Sequence, residues 1–214
     1  MSKLTAPLFL ALLLVAAPTA RAQTGIELSV FGGLQFGGEV DVEDTTAGLD
    51  GDIDLEPGPS YGAMLGYRVR KNQIIVLSYH RQQTDALVAF DGGGALASDF
   101  DTDIGFLQFG GEVDVPVTEH FVPFYGITLG AAHFSPDVTG VGDDWYFAGH
   151  GYVGVKVPIT ERIGIRTQLG MVATVIDDDS QFVCVSAGGL TCLVSSDITA
   201  LLQGNLSAGL YIRF

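Results

Sequence analysis

A strict two-residue periodicity near the C-terminus restricts the fold more than any other feature of this chain. Ala200, Leu202, Gly204, Leu206, Ala208, Leu210, Ile212 and Phe214 are all apolar or small. The positions between them, Thr199, Leu201, Gln203, Asn205, Ser207, Gly209, Tyr211 and Arg213, are mostly polar. A helix would scatter these residues around its axis, whereas a strand sends them to opposite faces. Seven further segments carry the pattern with varying clarity: 26–36, 61–69, 74–84, 104–115, 121–134, 145–157 and 163–176. In the fourth of these, Leu107, Phe109, Val113 and Val115 share one parity, and Gln108, Glu112 and Asp114 the other. Parity does not assign the faces clearly in 121–134.

The N-terminus constrains where such strands go. Lys3, an apolar stretch from Leu4 to Val15, Pro18 and the small-x-small run Ala20-Arg21-Ala22 form a secretory signal pattern. The expectation is a cleaved segment 1–22 and a single mature domain 23–214. The apolar stretch is shorter than the ~20 residues a spanning helix needs, and every later apolar run is broken within a few residues. Charged residues make up 16% of the chain, well below the ~25% usual for soluble domains. An exported, hydropathic chain without a spanning helix can still satisfy its backbone in lipid as a closed barrel. The fold class expected is all-β: an eight-stranded antiparallel up-and-down transmembrane β-barrel, with the even strand count of single-chain bacterial barrels.

Connection lengths support this topology. Segments 70–72, 116–120 and 158–162 are short, while 37–59, 85–101, 135–144 and 177–195 are long and polar. Short periplasmic turns alternating with long external loops are the outer-membrane pattern. The run Val113-Asp114-Val115-Pro116-Val117-Thr118-Glu119-His120 recurs as Val155-Lys156-Val157-Pro158-Ile159-Thr160-Glu161-Arg162, so the repeated unit is a hairpin. Aromatic residues lie near the strand ends. Tyr67, Phe121, Tyr125, Tyr211 and Phe214 fall on the short-turn side. Phe36, Tyr61, Tyr79, Phe100, Phe106, Phe134 and Trp145 fall on the long-loop side, as two interfacial girdles would require.

The ending Gly209-Leu210-Tyr211-Ile212-Arg213-Phe214 resembles the C-terminal strand of bacterial outer-membrane barrels, whose terminal aromatic residue is read by the barrel assembly machinery. The resemblance implies that Tyr211 and Phe214 serve as the assembly signal. With the export signal and eight strands, the chain is similar to the small outer-membrane barrel family that includes the transmembrane domain of outer membrane protein A and related surface barrels. That implies a location in the bacterial outer membrane and contact with its lipid and lipopolysaccharide. The formal net charge of −15 argues against nucleic acid as a partner, and no cofactor fingerprint is present.

Four features could carry chemistry. By parity, Glu27, Arg68, Glu112, Lys156, Arg166 and Arg213 should face a lumen that eight strands leave just wide enough for side chains. Mixed charges there should pair, because isolated buried charge is costly; the expectation is a polar plug, the alternative a gated path. Cys184 and Cys192, with seven residues between them in the last long loop, should form a disulfide in an oxidising compartment, stabilising that loop by roughly 2–3 kcal/mol. Acidic loop clusters (Asp50, Asp52 and Asp54; Asp143-Asp144; Asp177-Asp178-Asp179) could bridge to lipopolysaccharide phosphates through divalent cations. The first cluster is no EF-hand, since Leu55 and Tyr61 stand where Gly and Glu are needed. Finally, His133-Phe134-Ser135 resembles the His and Ser of lipid A deacylase, but Pro136 departs from that pattern and no orienting carboxylate is legible. The function expected is a non-enzymatic envelope protein acting through its external loops. A narrow route for small apolar molecules, as in the outer membrane protein W family, and a lipid A-modifying enzyme are the alternatives.

Overall fold

The computed structural model describes residues 25–44, 49–90, 98–136, 143–176 and 199–214. Ten strands follow in chain order: β1 (Ile26–Phe36), β2 (Glu39–Asp44), β3 (Leu49–Leu55), β4 (Gly58–Arg70), β5 (Gln73–Phe90), β6 (Ser98–Asp114), β7 (Val122–Pro136), β8 (Asp144–Pro158), β9 (Ile163–Ile176) and β10 (Thr199–Arg213). Eight of them close a ring in the order β1-β4-β5-β6-β7-β8-β9-β10. Every pairing is antiparallel, and the ring is sealed where β10 meets β1, from Glu27 opposite Arg213 to Phe36 opposite Gly204. Closure leaves no barrel edge, so each backbone donor and acceptor in the wall has a partner without water.

Side-chain placement is the reverse of a soluble protein's. Leu107, Phe109, Ile127, Leu129, Val153, Leu169, Met171 and Leu206 are exposed on the outer wall, while Gln108, Glu112, Lys156, Arg166, Gln168 and Gln203 are buried inside. An apolar exterior around a closed ladder is the arrangement that suits acyl chains. Among the described residues no helix is long and apolar enough to cross a membrane.

Two expectations are corrected. The segment 37–59 is not a plain loop. It holds the β2–β3 hairpin, and β3 pairs onto an upward extension of β5, from Gly51 opposite Phe90 to Leu55 opposite Ala86. Strand β5 accordingly runs to Phe90 and β6 starts at Ser98, so the wall rises well past the barrel on this side. The chain leaves β1 through Gly37 and Gly38, both at positive φ (75° and 126°), a backbone that only glycine adopts without strain. Second, the aromatic girdles are incomplete. Tyr67, Phe121, Tyr125 and Phe214, and at the other end Phe36, Tyr61, Tyr79 and Trp145, are exposed on the wall, but Tyr211, Phe106 and Phe134 are buried inside. Their parity matches the lumen-facing residues of their own strands, and ring size at a strand end does not override it. The side chain of Phe100 lies outside the described residues.

Candidate functional site

The lumen is filled in layers. Nearest the short turns, Lys156 is fully buried, and its Nζ lies 2.6 Å from Glu27 Oε1, 2.6 Å from Glu112 Oε1 and 3.1 Å from Asp114 Oδ1. Arg166 Nη2 meets Glu112 Oε2 at 2.7 Å. Arg68 Nη2 meets Asp114 Oδ2 at 2.8 Å, and Arg213 Nε meets Glu27 Oε2 at 2.9 Å. The six lumen charges read from parity therefore come together from six strands around one point. Asp114 joins them; it shares Glu112's parity, but its position at the end of β6 concealed its partners. Rings complete the layer: the Arg166 guanidinium lies 4.2 Å from the Phe124 ring centre and that of Arg213 4.7 Å from Tyr211. Tyr152 and Tyr211 reach these positions by lying over Gly126 and Gly164, where a Cβ would collide with the ring.

Buried charges at this density are tolerable only when each has opposite partners. Here every carboxylate touches at least one cation and every cation at least one carboxylate. Arg166 also donates through Nε and Nη2 to Gln168 Oε1, at 2.9 and 2.7 Å.

Above this layer the filling changes character. One wall carries an amide relay, in which Gln35 Nε2 donates to Gln203 Oε1 at 2.9 Å and Gln203 Nε2 donates to Gln82 Oε1 at 3.0 Å. The opposite wall is apolar: Ile104, Phe106, Ala132, Phe134, Tyr146, Ala148, Val172 and Ile176 pack together with Leu201 and with Leu55 from the hairpin. A wholly polar filling is thus corrected to an ionic layer near the turns and a mixed apolar and amide layer near the loops. The lumen is narrow enough that opposing walls touch, so apolar residues can bury one another there. This also resolves β7, whose faces parity left ambiguous. Its inward residues, Phe124, Thr128, Ala132 and Phe134, are themselves largely apolar.

The outer wall carries a second polar group near the loops. Ser135 Oγ lies 3.4 Å from His133 Nδ1. His133 Nε2 lies 3.5 Å from Asp143 Oδ2, and its ring packs 4.5 Å from that of Trp145. The carboxylate that sequence spacing did not supply is thus Asp143, immediately ahead of β8. On the neighbouring strands, Arg81 Nε donates to Asp103 Oδ1 at 2.9 Å. Asp103 stands opposite Ser135 in the β6–β7 ladder.

Other site expectations are placed as follows. Cys184, Cys192 and Asp177-Asp178-Asp179 lie outside the described residues. Asp50, Asp52 and Asp54 belong to strand β3. Phe214 is exposed at the end of the closing strand, and its backbone N–H donates to the Ile26 carbonyl at 3.0 Å.

No family model matches the chain, and no curated protein matches it. Solved structures do. Neisserial surface protein A is 15% identical, with a TM-score of 0.56 over 89% of this chain and 98% of that one. The outer membrane protein AlkL is 15% identical (TM-score 0.48, 92% and 94% covered). The attachment invasion locus protein Ail of Yersinia pestis is 10% identical (TM-score 0.45, 88% and 98% covered). At these identities the first likeness speaks to fold, and it is the fold of the small outer-membrane barrels; the other two add nothing to that.

Proposed function

We propose that this outer-membrane barrel is a sealed, non-catalytic envelope protein, which contributes to membrane structure and surface contact through its long-loop side. The observation that supports the reading most is Lys156, fully buried against three carboxylates in the lumen's ionic layer near the short turns. A path for ions would have to break those contacts, and the apolar cluster above would have to admit water. A small-molecule route through the lumen meets the same obstruction. Planar-bilayer recording tests this: the purified protein should give no discrete conductance steps at moderate voltage. Regular unitary steps would overturn the sealed reading. For the contact role, removing the β2–β3 hairpin should abolish binding to cells or matrix while the barrel stays folded; binding that survives removal would count against it.

A second reading is favoured by the Ser135–His133–Asp143 arrangement. In such a set the serine attacks an ester carbonyl, the imidazole takes its proton and returns it to the leaving alcohol, and the carboxylate holds the imidazole in place. Water then releases the acyl group from the serine. The position, on the outer wall just above the apolar belt, would present an ester of an outer-leaflet lipid such as lipid A. Fatty acid released from lipid A by purified protein, and lost in both Ser135→Ala and His133→Ala, would support this reading over the first. No release from the folded wild-type protein would end it.

A further inference from the structure

Past the closed ring, on the long-loop side, the wall continues as a sheet rim that ends in β2. Among the described residues β2 pairs with β3 alone, so the far edge of Glu39–Asp44 has no ladder partner there. Three rungs of the β2–β3 ladder set acid directly against acid: Glu39 opposite Asp54, Asp41 opposite Asp52 and Glu43 opposite Asp50. The positions between them are apolar or small, with Val40 opposite Ile53 and Val42 opposite Gly51. Asp54 is exposed and Leu55 buried, so the acid rungs belong to the outer face of the rim and the valine positions to the inner face. On the same outer face of the neighbouring pair, Asp85 stands opposite Asp101.

Like charges directly opposite each other weaken a ladder, so these rungs call for a cause. Charges on an edge strand can guard it against pairing with other chains. That accounts for β2 but not for Asp52 and Asp54, which stand on β3 where it is paired on both sides. Nor does the chain neutralise them from its own basic residues. Arg70, Lys71 and Arg162 sit at short turns, and Arg68, Lys156, Arg166 and Arg213 belong to the ionic layer. Arg81 is the one other lysine or arginine beyond residue 22, and Asp103 holds it through two hydrogen bonds. A rim so charged steers positively charged partners toward itself.

We propose that the open edge of β2 takes up an extended cationic segment of another protein as an added strand. The inference rests on the contact role given to the hairpin above and names the partner of that role. In strand addition the incoming backbone completes the open ladder, and its alternate side chains decide specificity. The two faces of β2 impose two requirements. Incoming positions on the outer face come beside Glu39, Asp41 and Glu43 and call for lysine or arginine. Those on the inner face come beside Val40 and Val42 and call for apolar residues. The segment thus matches the 6 residues of β2 in length, with basic and apolar residues in strict alternation. A helical basic partner would answer the charge and leave the edge open, so charge alone does not satisfy the surface.

The test uses the full-length protein folded in nanodiscs of zwitterionic lipid, with a fluorescent peptide of alternating lysine and valine as the probe. Anisotropy should show saturable binding of one peptide per barrel, and amide hydrogen exchange at Val40–Glu43 should slow when it is added. Two comparison peptides keep the composition: one gathers lysines and valines into separate blocks, the other is N-methylated along its backbone. Each should bind roughly tenfold or more weakly. Asp41→Asn combined with Asp52→Asn should weaken the alternating peptide severalfold and flatten its salt dependence; heat-modifiable migration reports that this variant is folded. No saturable binding to folded wild-type protein, or equal binding of either comparison peptide, would overturn the proposal. So would β2 amides that exchange slowly before any peptide is added, since another part of this chain would then occupy the edge. Cell binding separates the inference from the contact role. Adhesion lost on hairpin removal, with no peptide bound by the wild type, leaves that role standing and ends this inference. Peptide bound by the wild type, with adhesion unchanged by hairpin removal, does the reverse.

Discussion

Lys156 concentrates the energetics of the lumen in one side chain. Its ammonium serves Glu27, Glu112 and Asp114 at once, in a space that water does not reach. Breaking a buried ion cluster by removing one partner leaves uncompensated charge and costs about 3–5 kcal/mol. Lys156→Met should therefore lower unfolding stability by that order in urea titrations from detergent, although methionine fills much of the same volume. A change below 1 kcal/mol would mean that the cluster behaves like exposed pairs. At this scale the sequence was informative about direction and silent about partners. Parity sent Glu27, Arg68, Glu112, Lys156, Arg166 and Arg213 inward, but nothing in the chain order says that Lys156 reaches Glu27.

The β2–β3 hairpin is the element whose existence was not legible. Its residues do alternate, with Val40 and Val42 among acids on one arm and Ile53 and Leu55 among acids on the other. Asp and Glu are depleted in strands, however, and the density of acids made the segment resemble a solvated loop. What holds the hairpin is pairing with an extension of β5 rather than local propensity. It lies outside the closed ring, so replacing residues 39–55 by a short Gly-Ser linker should leave the barrel intact. The truncated protein should keep its heat-modifiable migration and lose only modest stability, from the exposed upper part of β5 and from Leu55. A truncated chain that never folds in detergent would show that the hairpin nucleates the ring. Strands β9 and β10 mark the opposite case. Their boundaries were read closely from sequence because both faces are clean: Ile163, Ile165, Leu169 and Met171 outside, Arg166 and Gln168 inside.

For the whole molecule, the exposed apolar belt is what makes a membrane its solvent. Leu129 and Phe109 stand opposite each other on β7 and β6, both on the outer wall midway along the barrel. Arginine at the bilayer midplane of a barrel costs about 2–4 kcal/mol and falls to about 0–1 near the interfaces. Leu129→Arg should then destabilise the protein in lipid vesicles by the larger amount, and an arginine in place of Tyr61, near the loops, by the smaller. Equal costs at the two heights would contradict a lipid-facing belt. The belt, the strand count near eight and closure were all consequences of two-residue periodicity, because a strand can send alternate residues only to opposite sides and lipid leaves no edge unpaired. Which side chains share a level inside the tube was decided by folding alone. That depends on the stagger between strands around the ring, a quantity no single strand encodes, and it is why the ionic cluster, the apolar upper filling and the approach of Asp143 to His133 emerge only when the ring is closed.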